Sequence, residues 1–279
     1  MTKLEYTLKN DALFKLLFVK YPDLLKHLVA TLLGIRYESI EQFEITNPEM
    51  PPETLGDKFC RLDINMTVEG HFINLELQVE NEGNYPERSL YHLARALSSN
   101  LKVGQDYKDI PRTIMINILG FSLFADPNRV HSEYSMLEVK THDILTDKAS
   151  MHFFELPKLT KELVSGNCWQ VWLKLINAKT EEDLAEIEAL EVPVMKKAIR
   201  AYRRVSTSAE YAEIERLRDK ADHDEAQALG NAERRGATVE REKWQGIVAE
   251  KDAALTEKDA ALTEKDALIA ELRAKLAEK

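Results

Sequence analysis

Apolar and polar residues alternate most sharply between positions 60 and 80. Cys60, Leu62, Ile64, Met66 and Val68 fall on one face of an extended chain, with Arg61, Asp63, Asn65 and Thr67 on the other. Beyond Glu69-Gly70 the alternation resumes. Ile73, Leu75, Leu77 and Val79 share one face, and Phe72, Asn74, Glu76, Gln78 and Glu80 the opposite one. This pattern predicts a β-hairpin. With Glu69 and Gly70 as the two turn residues, Leu62 pairs with Leu77, Ile64 with Leu75 and Met66 with Ile73, so every apolar pair matches. A slip by one residue would turn an apolar row to solvent, which fixes the parity of the register. A type I′ turn would hold Glu69 at φ > 0, so a longer loop is the alternative.

Helical periodicity brackets the hairpin. Leu13, Phe14, Leu17 and Phe18 recur at helical spacing behind Asn10, a good N-cap residue. Pro22 can open a second helix, from Asp23 to Leu33, which Gly34 stops. Residues 38–46 read as a short strand, and the prolines of NPEMPPETLGD mark a loop. After the hairpin, a helix from about Glu87 to Val103 is expected to bury Leu90, Leu93, Ala94, Leu97 and Leu101. Its other side carries Arg88, His92, Arg95, Ser99 and Lys102 in one stripe. Successive apolar residues over 111–119 predict a strand buried on both faces, with further β structure at 133–140 and 150–156.

From Cys168 the pattern is helical, with Thr180 a capped start and Trp169 and Trp172 expected in the core. From Ser208 it becomes rich in Ala, Glu, Arg and Lys, as in a long helix. Near the end EKDAALT at 250–256 repeats at 257–263, and EKDALIA and ELRAKLA follow. A period of seven predicts a coiled coil, although Leu255, Leu262, Ile269 and Leu276 supply only one seam position per heptad. Such a coil is weak alone and suits a mobile helix or an aid to homo-oligomerisation.

Composition narrows the possibilities. At 279 residues the chain can hold one good-sized core and an appendage. Two distant cysteines, Cys60 and Cys168, give neither a disulfide framework nor metal spacing, and a reducing cytoplasm is the expected location. The N-terminus lacks the pattern of a signal peptide, and no apolar run approaches the roughly 18 residues that cross a bilayer, so no membrane partner is expected. A net charge of −10 argues against DNA binding by bulk electrostatics, so any nucleic-acid contact must be local.

The hairpin register also sets Asp63 opposite Glu76 and Arg61 opposite Gln78. Facing carboxylates destabilise a hairpin. A solvated sheet face is one explanation. The other is a divalent-cation site, because two adjacent carboxylates are hard oxygen ligands that a cation makes stabilising.

Several stretches carry a resemblance: NDALFKLLF at 10–18, DKFCRLDI at 57–64, NLELQ at 74–78, ERSLYHLARALSSNLKVGQDYKDI at 87–110, INILGFSLF at 116–124 and HFFELPKL at 152–159. In collinear order over residues 5 to 160 the chain resembles the Rpn family of recombination-promoting nucleases, also labelled PD-(D/E)XK nuclease family transposases. The resemblance implies an α/β fold. It would have a restriction-endonuclease-like core, a mixed sheet flanked by helices, over residues 1–160. A helical extension over 161–206 and a helical tail over 207–279, with heptads from 250, would follow.

The resemblance also implies a metal-dependent DNA endonuclease linked to recombination or mobile elements. Asp63 and Glu76 would hold Mg²⁺, or Mn²⁺ in its place, with the backbone carbonyl of Leu77. Gln78 stands where most relatives place Lys and is the third catalytic residue expected. Asp11 is a further candidate ligand, since related nucleases bring an acid from the first helix; its plain alternative is a first-turn acid favoured by the helix dipole. Arg88, Tyr91 and Arg95 are the expected substrate contacts, on DNA phosphates. The alternatives are a catalytically inactive DNA-binding relative and an oligomeric coiled-coil interaction protein.

Overall fold

A computed structural model describes residues 2–47, 63–101, 104–160 and 168–277. Cys60, Arg61, Leu62, the expected loop from Pro48 and Lys102 lie outside the described residues. Two compact units are present, residues 1–218 and residues 219–279.

The first unit opens with α1 (Asp11–Lys20), whose N-cap Asn10 accepts the Leu13 N–H through its side chain at 3.0 Å. Pro22 stands at the start of α2 (Pro22–Leu32). Gly34, at φ 67°, ends that helix: the N–H groups of Gly34 and Ile35 return to the carbonyls of Thr31 and Ala30 at 3.3 and 2.8 Å. This is a Schellman closure, which needs the left-handed conformation glycine adopts freely.

Six strands follow: β1 (Phe43–Ile45), β2 (Ile64–Val68), β3 (His71–Gln78), β4 (Thr113–Leu119), β5 (His131–Leu137) and β6 (Ile144–Glu155), ordered β1-β2-β3-β4-β6-β5. The sheet is mixed: β3, β4 and β6 run parallel, and the pairs β1-β2, β2-β3 and β5-β6 are antiparallel. The hairpin has the expected register, with Ile64 opposite Leu75 and Met66 opposite Ile73. Leu62, the expected partner of Leu77, is outside the described residues.

The turn is a two-residue one with Glu69 at φ 49° and Gly70 at φ 75°, as type I′ requires. Glu69 tolerates that backbone because its carboxylate has a second task. Oε1 accepts the N–H groups of Glu41 and Gln42 at 2.6 and 2.8 Å, tying the turn to the chain entering β1. These hydrogen bonds hold the carboxyl below its ordinary acidity range.

The crossover from β3 to β4 is made by α3 (Tyr85–Ser99), and β4 is buried at every position, as expected of a central parallel strand. Three helices close the unit: α4 (Cys168–Asn177), α5 (Glu181–Glu188) and α6 (Pro193–Ser206). A capping box between Thr180 and Asp183 starts α5.

The two sheet faces are covered unequally. Ile64, Met66, Ile73, Leu75, Ile116 and Phe154 join the large core built with α1, α2, α4 and α6, in which Trp172 is fully buried and donates its indole N–H to His27 Nδ1 at 3.0 Å. The opposite face meets α3 in two small clusters, Tyr85 with Leu119 and Phe153, and Leu93 with Met115 and Ala149. That leaves the β2-β3 end of this face to polar residues.

α3 is rotated from its expected setting. Leu93 is buried and Leu97 packs on its cluster, but Leu90 is 53% exposed and Ala94 is also exposed. Tyr85 and Ser89 are buried in their place, two turns and one turn before Leu93. A small Ser lets the helix approach the sheet closely, and hydrophobicity alone points to Leu90 instead.

α7 (Ala209–Ala277) starts in the first unit and carries the heptad repeats in the second. Leu255, Leu262 and Ile269 are exposed along it, and the side chain of Leu276 is outside those described. No helix among the described residues is long and apolar enough to cross a membrane.

Candidate active site

Asp63 directly precedes β2, so continuing the hairpin register sets it across from Glu76 on β3. Strand parity then aims Asn74, Glu76 and Gln78 at the α3 side, away from Leu75 and the large core. The expected triad of Asp63, Glu76 and Gln78 therefore shares one end of one face.

Each member has an identified partner. Asp63 Oδ2 accepts a short hydrogen bond from Asn74 Nδ2, whose other proton goes to Asn65 Oδ1 at 2.8 Å. The main-chain carbonyl of Asp63 accepts the Asn47 amide at 3.1 Å, and Asn47 Oδ1 accepts the Asn65 N–H at 2.7 Å, so this strand end is pinned from β1's side as well. Burial raises the Asp63 carboxyl above its ordinary value of 3.8, while the Asn74 hydrogen bond and the charges of Lys15 and His92 oppose the rise. Desolvation is the first influence on the Asp63 carboxyl.

Glu76 is 5% exposed and meets Arg88 of α3: Nη2 lies 3.1 Å from Oε1. The same nitrogen donates to Gln78 Oε1 at 2.9 Å, and Nη1 donates to Glu82 at 2.9 Å. One guanidinium therefore spans three oxygen-bearing side chains. Gln78 completes its amide by donating Nε2 to the Glu80 carbonyl at 3.0 Å. The close approach of β3 and β4 beside Gln78 depends on Gly120, where a Cβ would come within 2.9 Å of the Val79 carbonyl oxygen.

The face also holds unused hydrogen-bonding capacity. Asn74 Oδ1, Arg88 Nε and Ser89 Oγ are buried without a hydrogen-bond partner among the described residues. Such atoms are rare in a settled interior and call for an explanation.

The remaining candidates have contacts of their own. Asp11 Oδ1 accepts the Ala12 N–H at 2.9 Å and pairs with Arg218 of α7 at 2.6 Å, so its visible role is to join α1 to the start of the last helix. Tyr91 is 63% exposed and stacks edge-on against His92, and Arg95 is exposed. The expected basic stripe thus begins inside, at Arg88, and runs outward; Ser99 turns its hydroxyl to the Ala96 carbonyl at 3.0 Å. Two residues the sequence reading passed over belong here. Asn74 holds Asp63, and Lys15, 4% exposed on α1, bears electrostatically on it. The signal for Lys15 was a single charge inside the apolar run ALFKLLF.

The donor set suits a hard divalent cation. It comprises two carboxylates on one sheet end, with the main-chain carbonyl of Leu77 between Glu76 and Gln78 in sequence and an unsatisfied Asn74 oxygen able to accept from a water. No group of three or more His, Cys, Asp or Glu side chains that could hold a metal occurs among the described residues, so side chains alone do not build a closed cage.

Among known families, the model described as PD-(D/E)XK nuclease family transposase matches residues 8–232. No curated protein and no solved structure matches the chain.

Proposed function

The chain belongs to the PD-(D/E)XK nuclease family transposases, and from that membership and the site around Asp63 and Glu76 we propose that it hydrolyses DNA phosphodiester bonds with a divalent cation. The observation that carries the reading is the buried Glu76, placed with Gln78 under one guanidinium at the same sheet end as a desolvated Asp63. Burying two acids at one place is costly unless something there uses their charge.

Asp63 and Glu76, with the Leu77 carbonyl, would hold the ion, Mg²⁺ or Mn²⁺. When bound, it supplies a Lewis acid for the phosphate and a water of lowered pKa. The chain's own groups do the rest. Asn74 fixes the Asp63 carboxylate in place through its amide. Gln78, uncharged, orients a water or a phosphate oxygen by hydrogen bonds and does not act as a cation. Arg88, with Arg95 and Tyr91 further along α3, contacts the DNA backbone; phosphate contacts of this kind set the register of the strand. Asp11, which pairs with Arg218, is a further candidate ligand for the ion.

The domain limits proposed are a nuclease-like domain over 1–160, a helical extension over 161–206 and a tail from 207. The tail would assist homo-oligomerisation, and the cellular role would lie in recombination or mobile-element biology in the cytoplasm.

The test is cleavage of supercoiled plasmid by the full-length protein with Mg²⁺, with Mn²⁺ and with a chelator, wild type beside Asp63→Ala. The expected result is metal-dependent nicking that Asp63→Ala abolishes. Equal nicking by both proteins would refute the site. A wild type that binds DNA yet never cuts it would favour the inactive DNA-binding relative.

A further inference from the structure

Arg88 occupies the position that the proposed function assigns to a cation and its substrate. It donates from Nη2 to Glu76 and Gln78 and from Nη1 to Glu82, and its side chain is only 11% exposed. Its Nε is buried without a hydrogen-bond partner among the described residues, and the guanidinium lies over the Tyr85 ring, 5.5 Å from its centroid, so its hydrogen bonds run from the two Nη atoms alone. Guanidinium offers five donors in a rigid fork and is never neutral at biological pH. A residue placed purely to stabilise Glu76 would be expected to use that fork fully, as a bidentate pair does. Here the contacts are single and divided among three side chains.

Two of the three partners belong to the site and one belongs to its rim. Glu82 is 61% exposed, in the segment just after β3 where Gly83 adopts φ 82°. A carboxylate at the rim can keep a guanidinium that leaves Glu76 from being lost to solvent. Ser89, next along α3, adds a buried hydroxyl without a partner among the described residues.

Resting on the function proposed above, we infer that Arg88 is an exchangeable counter-ion. It neutralises Glu76, yields that carboxylate when the cation enters, and swings about its Glu82 contact so that its fork meets the backbone phosphate of the DNA. The same movement frees Gln78 Oε1 to accept from a water. A divalent ion and a guanidinium repel each other, so both cannot remain on one buried carboxylate. Arg88 is thus a positioning residue that couples cation entry to phosphate capture.

The inference makes opposite predictions for two neighbours. Arg88→Gln removes the competing charge and should tighten Mn²⁺ binding to the full-length protein about tenfold in a calorimetric titration without DNA, while raising KM for cleavage. Glu82→Gln removes the rim partner, leaves Arg88 more firmly on Glu76 and should weaken Mn²⁺ binding; its exposed side chain takes no part in the core, so the inference stays testable if Arg88→Gln does not fold. A purely structural Arg88 predicts that Arg88→Gln binds Mn²⁺ no more tightly, and that result, or unchanged binding in Glu82→Gln, overturns the inference. Asp63→Asn separates the two levels. If it leaves Mn²⁺ binding intact, the cation site itself is misplaced and both readings fall. If it abolishes binding while the Arg88 and Glu82 variants match wild type, only the exchange is wrong.

Discussion

Glu76 and Glu155 are buried acids on the same side of one sheet, each beside a basic side chain, yet their surroundings differ in kind. Glu155, at the end of β6, is fully buried: Oε1 accepts the N–H groups of Leu123 and Phe124 at 2.5 and 3.1 Å, and Oε2 pairs with Lys158 at 2.7 Å. Lys158 in turn donates to the Phe124 carbonyl at 2.7 Å. Every contact serves to fasten the segment after β4 to the end of β6. Around Glu76 the basic partner is shared among three groups, and three buried polar atoms nearby have no hydrogen-bond partner among the described residues. A closed network marks a structural acid, and an open one leaves capacity for something that binds.

The largest effect expected from this contrast is on stability. Glu155→Ala should cost about 3–5 kcal/mol in denaturant unfolding, because it strands a buried lysine and two backbone N–H groups. Glu76→Ala leaves Arg88 its contacts with Glu82 and Gln78 and should cost about 1–2 kcal/mol. Comparable losses would erase the distinction between the two acids.

Next in size is Gln78→Ala, for which cleavage should fall by roughly 10- to 1000-fold, about 1.4 to 4 kcal/mol of transition-state stabilisation, with Mg²⁺ binding retained. Wild-type rates would remove Gln78 from the chemistry. Gln78→Lys should keep measurable activity.

A smaller effect concerns Asp63 and pH. Its carboxyl binds a proton more tightly folded than unfolded, because burial disfavours the charge. By linkage this group costs stability wherever it is ionised in the folded protein, and the cost disappears as pH falls to its ordinary value of 3.8 and below. Asp63→Asn should therefore raise the melting temperature at pH 7, with an advantage that shrinks as the pH approaches that value. An advantage that stays constant with pH would mean that desolvation is not the stress on Asp63. Smallest for the site, removing residues 246–279 should leave cleavage in place and alter self-association; an unchanged sedimentation profile would end the oligomerisation proposal.

The hairpin and the grouping of Asp63, Glu76 and Gln78 were legible in the sequence because a strand period of two leaves only one parity that buries Ile64, Met66, Ile73 and Leu75. The setting of α3 was less so. A buried Ser89 looks polar and an exposed Leu90 looks apolar, so the pattern of hydrophobicity pointed a neighbouring stripe at the sheet. Contacts between distant segments left no local trace: Asp11 meets Arg218 across 207 positions, and Glu69 secures its strained turn through N–H groups 27 and 28 residues earlier. Arg88 was expected to contact phosphate, and its pairing with Glu76 was not legible, since only the fold turns it inward.

The central claim is that the charges of Asp63 and Glu76 do chemistry, and isosteric amides test it most directly. Single-turnover cleavage of plasmid DNA with Mg²⁺ should be measured for wild type, Asp63→Asn and Glu76→Gln, each shown folded by its melting curve. The account predicts folded variants whose rates fall by at least about 100-fold, equivalent to roughly 2.7 kcal/mol. Folded amide variants that cut DNA at the wild-type rate would contradict it.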